Sequence, residues 1–260
     1  VYKRQMLKYG AWRERRLQAI EAHTSPGLVM RGTALLLLLL TRPLWAGEPI
    51  HVAVAANFRH TLEKATAQFE AETGHRVTLS SASTGMLYSQ ITHGAPFHLF
   101  FAADQETPDK LVASGLADSD AFCYARGTLV LAGGNGRLGQ LGDPSLSLAI
   151  ANPATAPYGG AAMEVLSRPA FRAGNTRKLV RGSNVVQAYQ FWHSGAVDLA
   201  LLPRALAPEG ATPIPDDWHR PLAQHGVVLV QSSAVNAYLN WIRSDTVRSL
   251  ITDAGYEPCP

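Results

Sequence analysis

The chain has 260 residues, 47% of them hydrophobic and 17% charged, which is enough to bury one large core or two smaller ones. The formal charge of +3 misleads, because residues 1–47 hold eight of the 23 Lys/Arg and two of the 20 Asp/Glu, leaving 15 basic against 18 acidic side chains in the rest. A slightly acidic body with no basic stripe predicts no nucleic-acid partner.

The first feature in chain order is an address. Met30-Arg31-Gly32-Thr33 leads into Ala34 and six consecutive leucines, Leu35 to Leu40, followed by Thr41-Arg42-Pro43-Leu44-Trp45-Ala46. A basic flank, a short apolar run and a small residue predict a cleavable secretory signal peptide over 30–46, hence a periplasmic protein. The run is far shorter than the roughly 20 residues of a membrane span, and identical leucines have no amphipathic period. Residues 1–29 fit neither leader nor body. They read as an upstream extension with Met30 as the start, the alternative being an extended basic region of the leader. Cys123 and Cys259 are available to pair in an oxidising compartment, although spacing alone does not bring them together.

From Ile50 the body alternates strand and helix. His51–Ala56 reads as a short apolar strand, and Asn57 stands where the next helix is capped. Leu62, Ala65 and Phe69 recur at helical spacing as far as Thr73-Gly74. Residues 76–80 form the next expected strand, and the polar run Ser80-Ser81-Ala82-Ser83-Thr84-Gly85 opens a second helix. His98–Ala103 is a strand and Pro108–Ser114 a helix. Gly127–Ala132 reads as a strand leaving this unit. A second set follows: strand 147–151 with a loop through Asn152-Pro153 to Tyr158-Gly159-Gly160, strand 178–180 with the turn Ser183-Asn184-Val185, and strand 198–202. Residues 226–230 return toward the first unit, ahead of helices at 234–243 and 245–254. This alternation predicts an α/β protein with mostly parallel sheets, whose ligands bind at strand carboxyl ends beside helix N-termini.

The eight body histidines show no H-x-x-x-H or Cys/His cluster, no P-loop or G-x-S-x-G occurs, and the one G-x-G-x-x-G string, Gly134-Asn135-Gly136-Arg137-Leu138-Gly139, opens no expected helix. Metal, nucleotide and hydrolase chemistry therefore lack a motif.

The loops carry a resemblance spanning nearly all of 50–256. Val54-Ala55-Ala56-Asn57-Phe58, the Ser80–Gly85 run with Gln90-Ile91, Gly94-Ala95-Pro96-Phe97-His98-Leu99-Phe100-Phe101-Ala102-Ala103-Asp104, Asn152-Pro153 with Ala156-Pro157-Tyr158-Gly159, and Asn184-Val185 follow in order. Together they resemble the periplasmic molybdate-binding proteins of ABC transporters, within the type II substrate-binding proteins, in a subgroup with Asn and Tyr at the site. The resemblance implies two α/β lobes, each a mostly parallel sheet flanked by helices, joined by two crossover strands. Lobe one would be 48–128 with 229–260, and lobe two 129–228. It implies a molybdate or tungstate ligand, no cofactor, no catalysis, a monomer, and an inner-membrane ABC permease as partner. Carried over by position, Asn57, Thr84 with Ser83 beside it, Tyr158, and Val185 with Asn184 would hold the ligand. His98 and Ala102 depart from the Asp and Ser usual in the family, as a matter of packing. Pro203 stands where some members contribute a tyrosine, a part Tyr158 would take over.

A tetrahedral dianion presents only acceptors, so neutral donors at helix N-termini suit it. Two alternatives remain open at this point: another tetrahedral oxyanion such as sulfate, thiosulfate or phosphate, and an exported transferase-like enzyme on a similar two-lobe fold, for example one resembling porphobilinogen deaminase. The enzyme would need a nucleophile or base, and the proposed cleft loops offer no Cys, His, Asp or Glu.

Overall fold

The computed structural model describes residues 48–259. The expected leader at 30–46 and the extension at 1–29 lie outside the described residues. The body contains two five-stranded sheets.

The first sheet begins with β1 (Ile50–Ala55), which leads through a turn at Ala56-Asn57 into α1 (Arg59–Thr73). Gly74 takes the left-handed conformation (φ 73°) that ends this helix and returns the chain to β2 (Val77–Ala82). Then come α2 (Thr84–Thr92), β3 (Leu99–Phe101), α3 (Glu106–Ala113) and β4 (Phe122–Gly127). β1 pairs in parallel with β2 and β3. It is buried along almost its whole length because both sheet faces are covered. Val52 and Val54 point into a core shared with Leu62, Phe69 and Tyr238, while the intervening Ala53 joins Leu87, Phe100 and Leu111 on the other face.

After Thr128 the chain enters the second sheet. It contains β5 (Leu129–Gly133), β6 (Leu148–Ala151), β7 (Leu179–Gly182), β8 (Leu199–Pro203) and the short β9 (Thr212–Pro213). Helices α4 (Pro157–Ser167) and α5 (Val185–His193) follow β6 and β7. The order is β7-β6-β8-β5-β9, with β6 parallel to its two neighbours and β5 antiparallel to its own.

The chain returns through β10 (Leu222–Val228), which lies antiparallel between β3 and β4 in the first sheet. This corrects the expected lobe limits: 222–228 belongs to lobe one, not to a lobe two running to 228. The dense apolar run predicts the strand at 226–230. The polar first half, Leu222-Ala-Gln-His225, carries no such signal yet supplies most of the pairing with β4. Phe122–Gly127 was likewise not expected as a strand separate from the one after Thr128. Helices α6 (Ser233–Ile242) and α7 (Asp245–Asp253) close lobe one, each started by a serine cap at Ser232 and Ser244. Cys123 in β4 is bonded to Cys259, with Cα atoms 6.0 Å apart.

Candidate functional site

The N-termini of α1, α2, α4 and α5 follow the carboxyl ends of β1, β2, β6 and β7, and all four converge on one small cavity between the lobes. It is lined by Ala55, Ala56, Asn57, Ser83, Thr84 and Ala103 from lobe one, and by Ala156, Pro157, Tyr158, Asn184 and Val185 from lobe two. All six residues singled out from the sequence are therefore brought together, although up to 128 positions separate them. His98 and Ala102 do not line it. His98 Nδ1 accepts from the His51 N–H at 2.9 Å, and the Ala102 carbonyl accepts from Tyr124.

The donors can be followed one by one. Asn57 sits in the turn closed by the Phe58 N–H on the Ala55 carbonyl (2.9 Å), and its own N–H has no partner among the described residues. The first N–H groups of a helix have no acceptor within it, which frees those of Thr84, Tyr158 and Val185. Asn184 caps α5, its Oδ1 accepting from the Val186 N–H at 2.9 Å and the Gln187 N–H at 3.1 Å, which holds the Val185 peptide at the helix tip. Ser83 is the N-cap of α2 yet makes no capping bond. Its Oγ is buried with no partner among the described residues, an arrangement that costs free energy unless a ligand fills it. Thr84 Oγ1 accepts from the Ala103 N–H at 3.0 Å, leaving its own proton to donate.

Tyr158 is 2% exposed and receives a hydrogen bond from Gln224 Nε2 at 3.1 Å. Burial, and then the nearby Tyr256, push its hydroxyl pKa well above the usual tyrosine range, so it remains a neutral donor. The Asn57 side chain is held from behind: its Nδ2 donates to Gln224 Oε1 at 2.8 Å and to the Tyr256 hydroxyl at 3.2 Å. Asn57 thus offers the cavity its backbone N–H rather than these amide protons. Gln224 and Tyr256 were missed in the sequence reading. Both lie far along the chain from their partners, in stretches whose only local signal is one polar residue within a strand and one aromatic after the last helix.

No charged side chain lines the cavity. Charges begin in the wider cleft that adjoins it through Ala103, Ala156 and Pro157, where Glu106 pairs with Lys110 (2.6 Å) and Glu164 with Arg220 (2.7 Å). Asp104 also lines that cleft, and its carboxylate accepts from the Thr107 N–H at 2.9 Å. Across the cleft the Gly85 N–H donates to the Thr155 carbonyl at 2.8 Å, a backbone contact between the lobes.

Residues 50–257 match the family of bacterial extracellular solute-binding proteins. The chain is 35% identical over 226 residues to the molybdate-binding protein ModA of Azotobacter vinelandii, covering 80% of this chain and 89% of that one. To ModA of Rhodobacter capsulatus it is 36% identical over 238 residues, covering 86% and 94%. Among solved structures, the periplasmic molybdate-binding protein of A. vinelandii superposes with a TM-score of 0.75 at 32% identity, covering 81% of this chain and all of that one.

Proposed function

Since the chain belongs to the family of bacterial extracellular solute-binding proteins, we propose that its interlobe cavity captures molybdate, or the like-shaped tungstate, for delivery to an ABC importer. The observation that carries this reading is the convergence of four helix N-termini and neutral donors, from both lobes, on a cavity without a charged side chain. The proposed ligand groups are the N–H of Asn57 and Val185, the hydroxyls of Ser83, Thr84 and Tyr158, and Asn184 as the cap that positions Val185. A dianion here is met by donors on every side, each hydrogen bond to it contributing about 1.5–3 kcal/mol. The absence of lysine or arginine from the lining favours release, because no ion pair has to be broken at the permease. The protein acts as a periplasmic carrier rather than an enzyme, and its membrane partner is an inner-membrane permease.

Charge does not separate molybdate from sulfate, since both are dianions, so discrimination falls to size. The larger ion reaches donors on both lobes, whereas the smaller one leaves some unpaired at about 1–3 kcal/mol each. Hydrogen phosphate is disfavoured further because its O–H has to be accepted by a hydroxyl of Ser83, Thr84 or Tyr158 that otherwise donates to the anion, at the loss of one donated bond. Calorimetric titration of the mature body with molybdate, tungstate, sulfate and phosphate tests this. Micromolar or tighter molybdate binding, with sulfate weaker by at least about a hundredfold, is expected. Equal affinity for sulfate and molybdate would overturn the assignment.

A further inference from the structure

Behind the cavity lies a buried polar chain whose direction follows from the chemistry of its first member. The Tyr256 hydroxyl is 2.7 Å from the Asn57 carbonyl oxygen, which can only accept, so the Tyr256 proton is committed there. The Tyr256 oxygen then serves as acceptor for the Asn57 side chain at 3.2 Å, which makes that end of the amide the nitrogen. The same nitrogen meets Gln224 at 2.8 Å, so Gln224 turns its oxygen toward Asn57. Tyr124 does not set this direction. Its hydroxyl lies 2.9 Å from both the Gln224 oxygen and the Ala102 carbonyl, two acceptors for one proton. Gln224 is left with its nitrogen facing the Tyr158 hydroxyl at 3.1 Å. Receiving that bond, Tyr158 keeps its own proton for another partner, and the cavity is where that proton can go.

We propose that Gln224 is a positioning residue for anion capture: reaching from β10 in lobe one to Tyr158 in lobe two, it turns the Tyr158 hydroxyl proton into the cavity. The inference rests on reading the cavity as an oxyanion site and adds a residue that never touches the ligand. Gln224 is fully buried, so water does not substitute for either end of its amide. Its polarity matters more than its shape. A carboxylate at 224 would offer Tyr158 an acceptor, draw the proton away from the anion and set a negative charge behind it. A methionine would fill the space and set no direction. A bond between lobes also forms only when they meet, so the Tyr158 donor is completed on closure.

The test is molybdate titration of the intact protein and of Gln224→Glu, Gln224→Met, Tyr158→Phe and the Gln224→Met/Tyr158→Phe pair, with thermal unfolding run alongside. Gln224→Glu should lose at least about a hundredfold in affinity near neutral pH and regain part of it toward about pH 5.5, as the buried carboxyl protonates and can donate again. The parent protein should show no such pH dependence. Gln224→Met should lose about tenfold at every pH, and this loss should vanish in the Tyr158→Phe background, where no proton remains to be aimed. Additive losses in the double variant, or a pH-independent Gln224→Glu, would mean that Gln224 only ties the lobes together, and the inference would fall. Should Gln224→Met not fold, Tyr256→Phe replaces it in the same cycle, since removing that hydroxyl frees the Asn57 amide and hence the direction of the chain. A parent protein that does not bind molybdate would overturn the oxyanion reading itself, an outcome separate from these.

Discussion

Ser83 and Thr84 stand side by side at the tip of α2, but the structure gives their hydroxyls different duties. The Ser83 Oγ has no protein partner among the described residues, so Ser83→Ala removes a donor and nothing else the fold uses. Molybdate affinity should fall by roughly tenfold or more, with an unchanged unfolding temperature without ligand. Unchanged affinity in titration would remove Ser83 from the site. Thr84→Ala is expected to weaken binding by about 10- to 150-fold, but it is not neutral toward folding. Thr84 is 2% exposed and its Oγ1 satisfies the buried Ala103 N–H, so the substitution also costs about 1–3 kcal/mol of stability. Thr84→Ser keeps both duties, and denaturant unfolding of the three variants separates the two effects. Tyr158 makes a further prediction about pH. Its hydroxyl is pushed upward by burial, so the donor stays protonated from about pH 6 to 9, and molybdate affinity should be flat over that range. A loss of affinity on approaching pH 9 would show that this tyrosine ionises there and is not the buried donor described.

At the scale of elements, the site depends on how closely strand ends and helix tips approach. Gly127 ends β4 just before the chain crosses to lobe two, and a Cβ there would stand 1.9 Å from the Tyr158 hydroxyl and 2.6 Å from Gln224 Nε2. Gly127→Ala should therefore displace Tyr158 and lower molybdate affinity by more than about tenfold; full affinity by titration would mean that Tyr158 is not needed. These approaches explain what was legible in the sequence. Each cavity loop joins an apolar strand to a helix through small polar residues, a local pattern with period and punctuation, so Asn57, Ser83, Thr84, Tyr158, Asn184 and Val185 could be read from short windows together with the family resemblance. Gln224 and Tyr256 could not, because their meaning lies in contacts with residues 66 to 199 positions away. The strand Phe122–Gly127 escaped for a related reason. It is half-buried on both faces: the C-terminal tail meets Arg126 through Glu257 and Cys123 through Cys259, and Arg243 lies over the Phe122 ring, so no alternating solvent face marks a period of two.

For the molecule as a whole, the tail that follows α7 ties the two ends of lobe one together. Arg126 and Glu257 exchange backbone hydrogen bonds of 2.8 Å and pair through their side chains at 2.9 Å, Cys259 is bonded to Cys123, and between these attachments and α7 lies Tyr256, whose hydroxyl braces Asn57. The disulfide spans 136 positions and encloses all of lobe two, β10, α6 and α7 in one loop, yet both its ends lie in lobe one, so it does not restrain the lobes from moving apart. Its contribution is then to global stability rather than to closure. Closing so long a loop limits the unfolded chain, and replacing both cysteines with serine should cost about 2–5 kcal/mol. For a body of this size that corresponds to a fall in unfolding temperature of roughly 5–20 °C. Molybdate should still stabilise the serine variant, because saturation at about 100 times Kd adds about 2.7 kcal/mol whatever the starting stability, provided the Arg126–Glu257 bridge keeps Tyr256 in place. Thermal unfolding of both forms, with and without ligand, reads the two quantities separately. An unchanged temperature in the ligand-free variant would show that the bond contributes nothing. A lost molybdate increment would show instead that the disulfide, and not the backbone bridge, holds Tyr256 against the site.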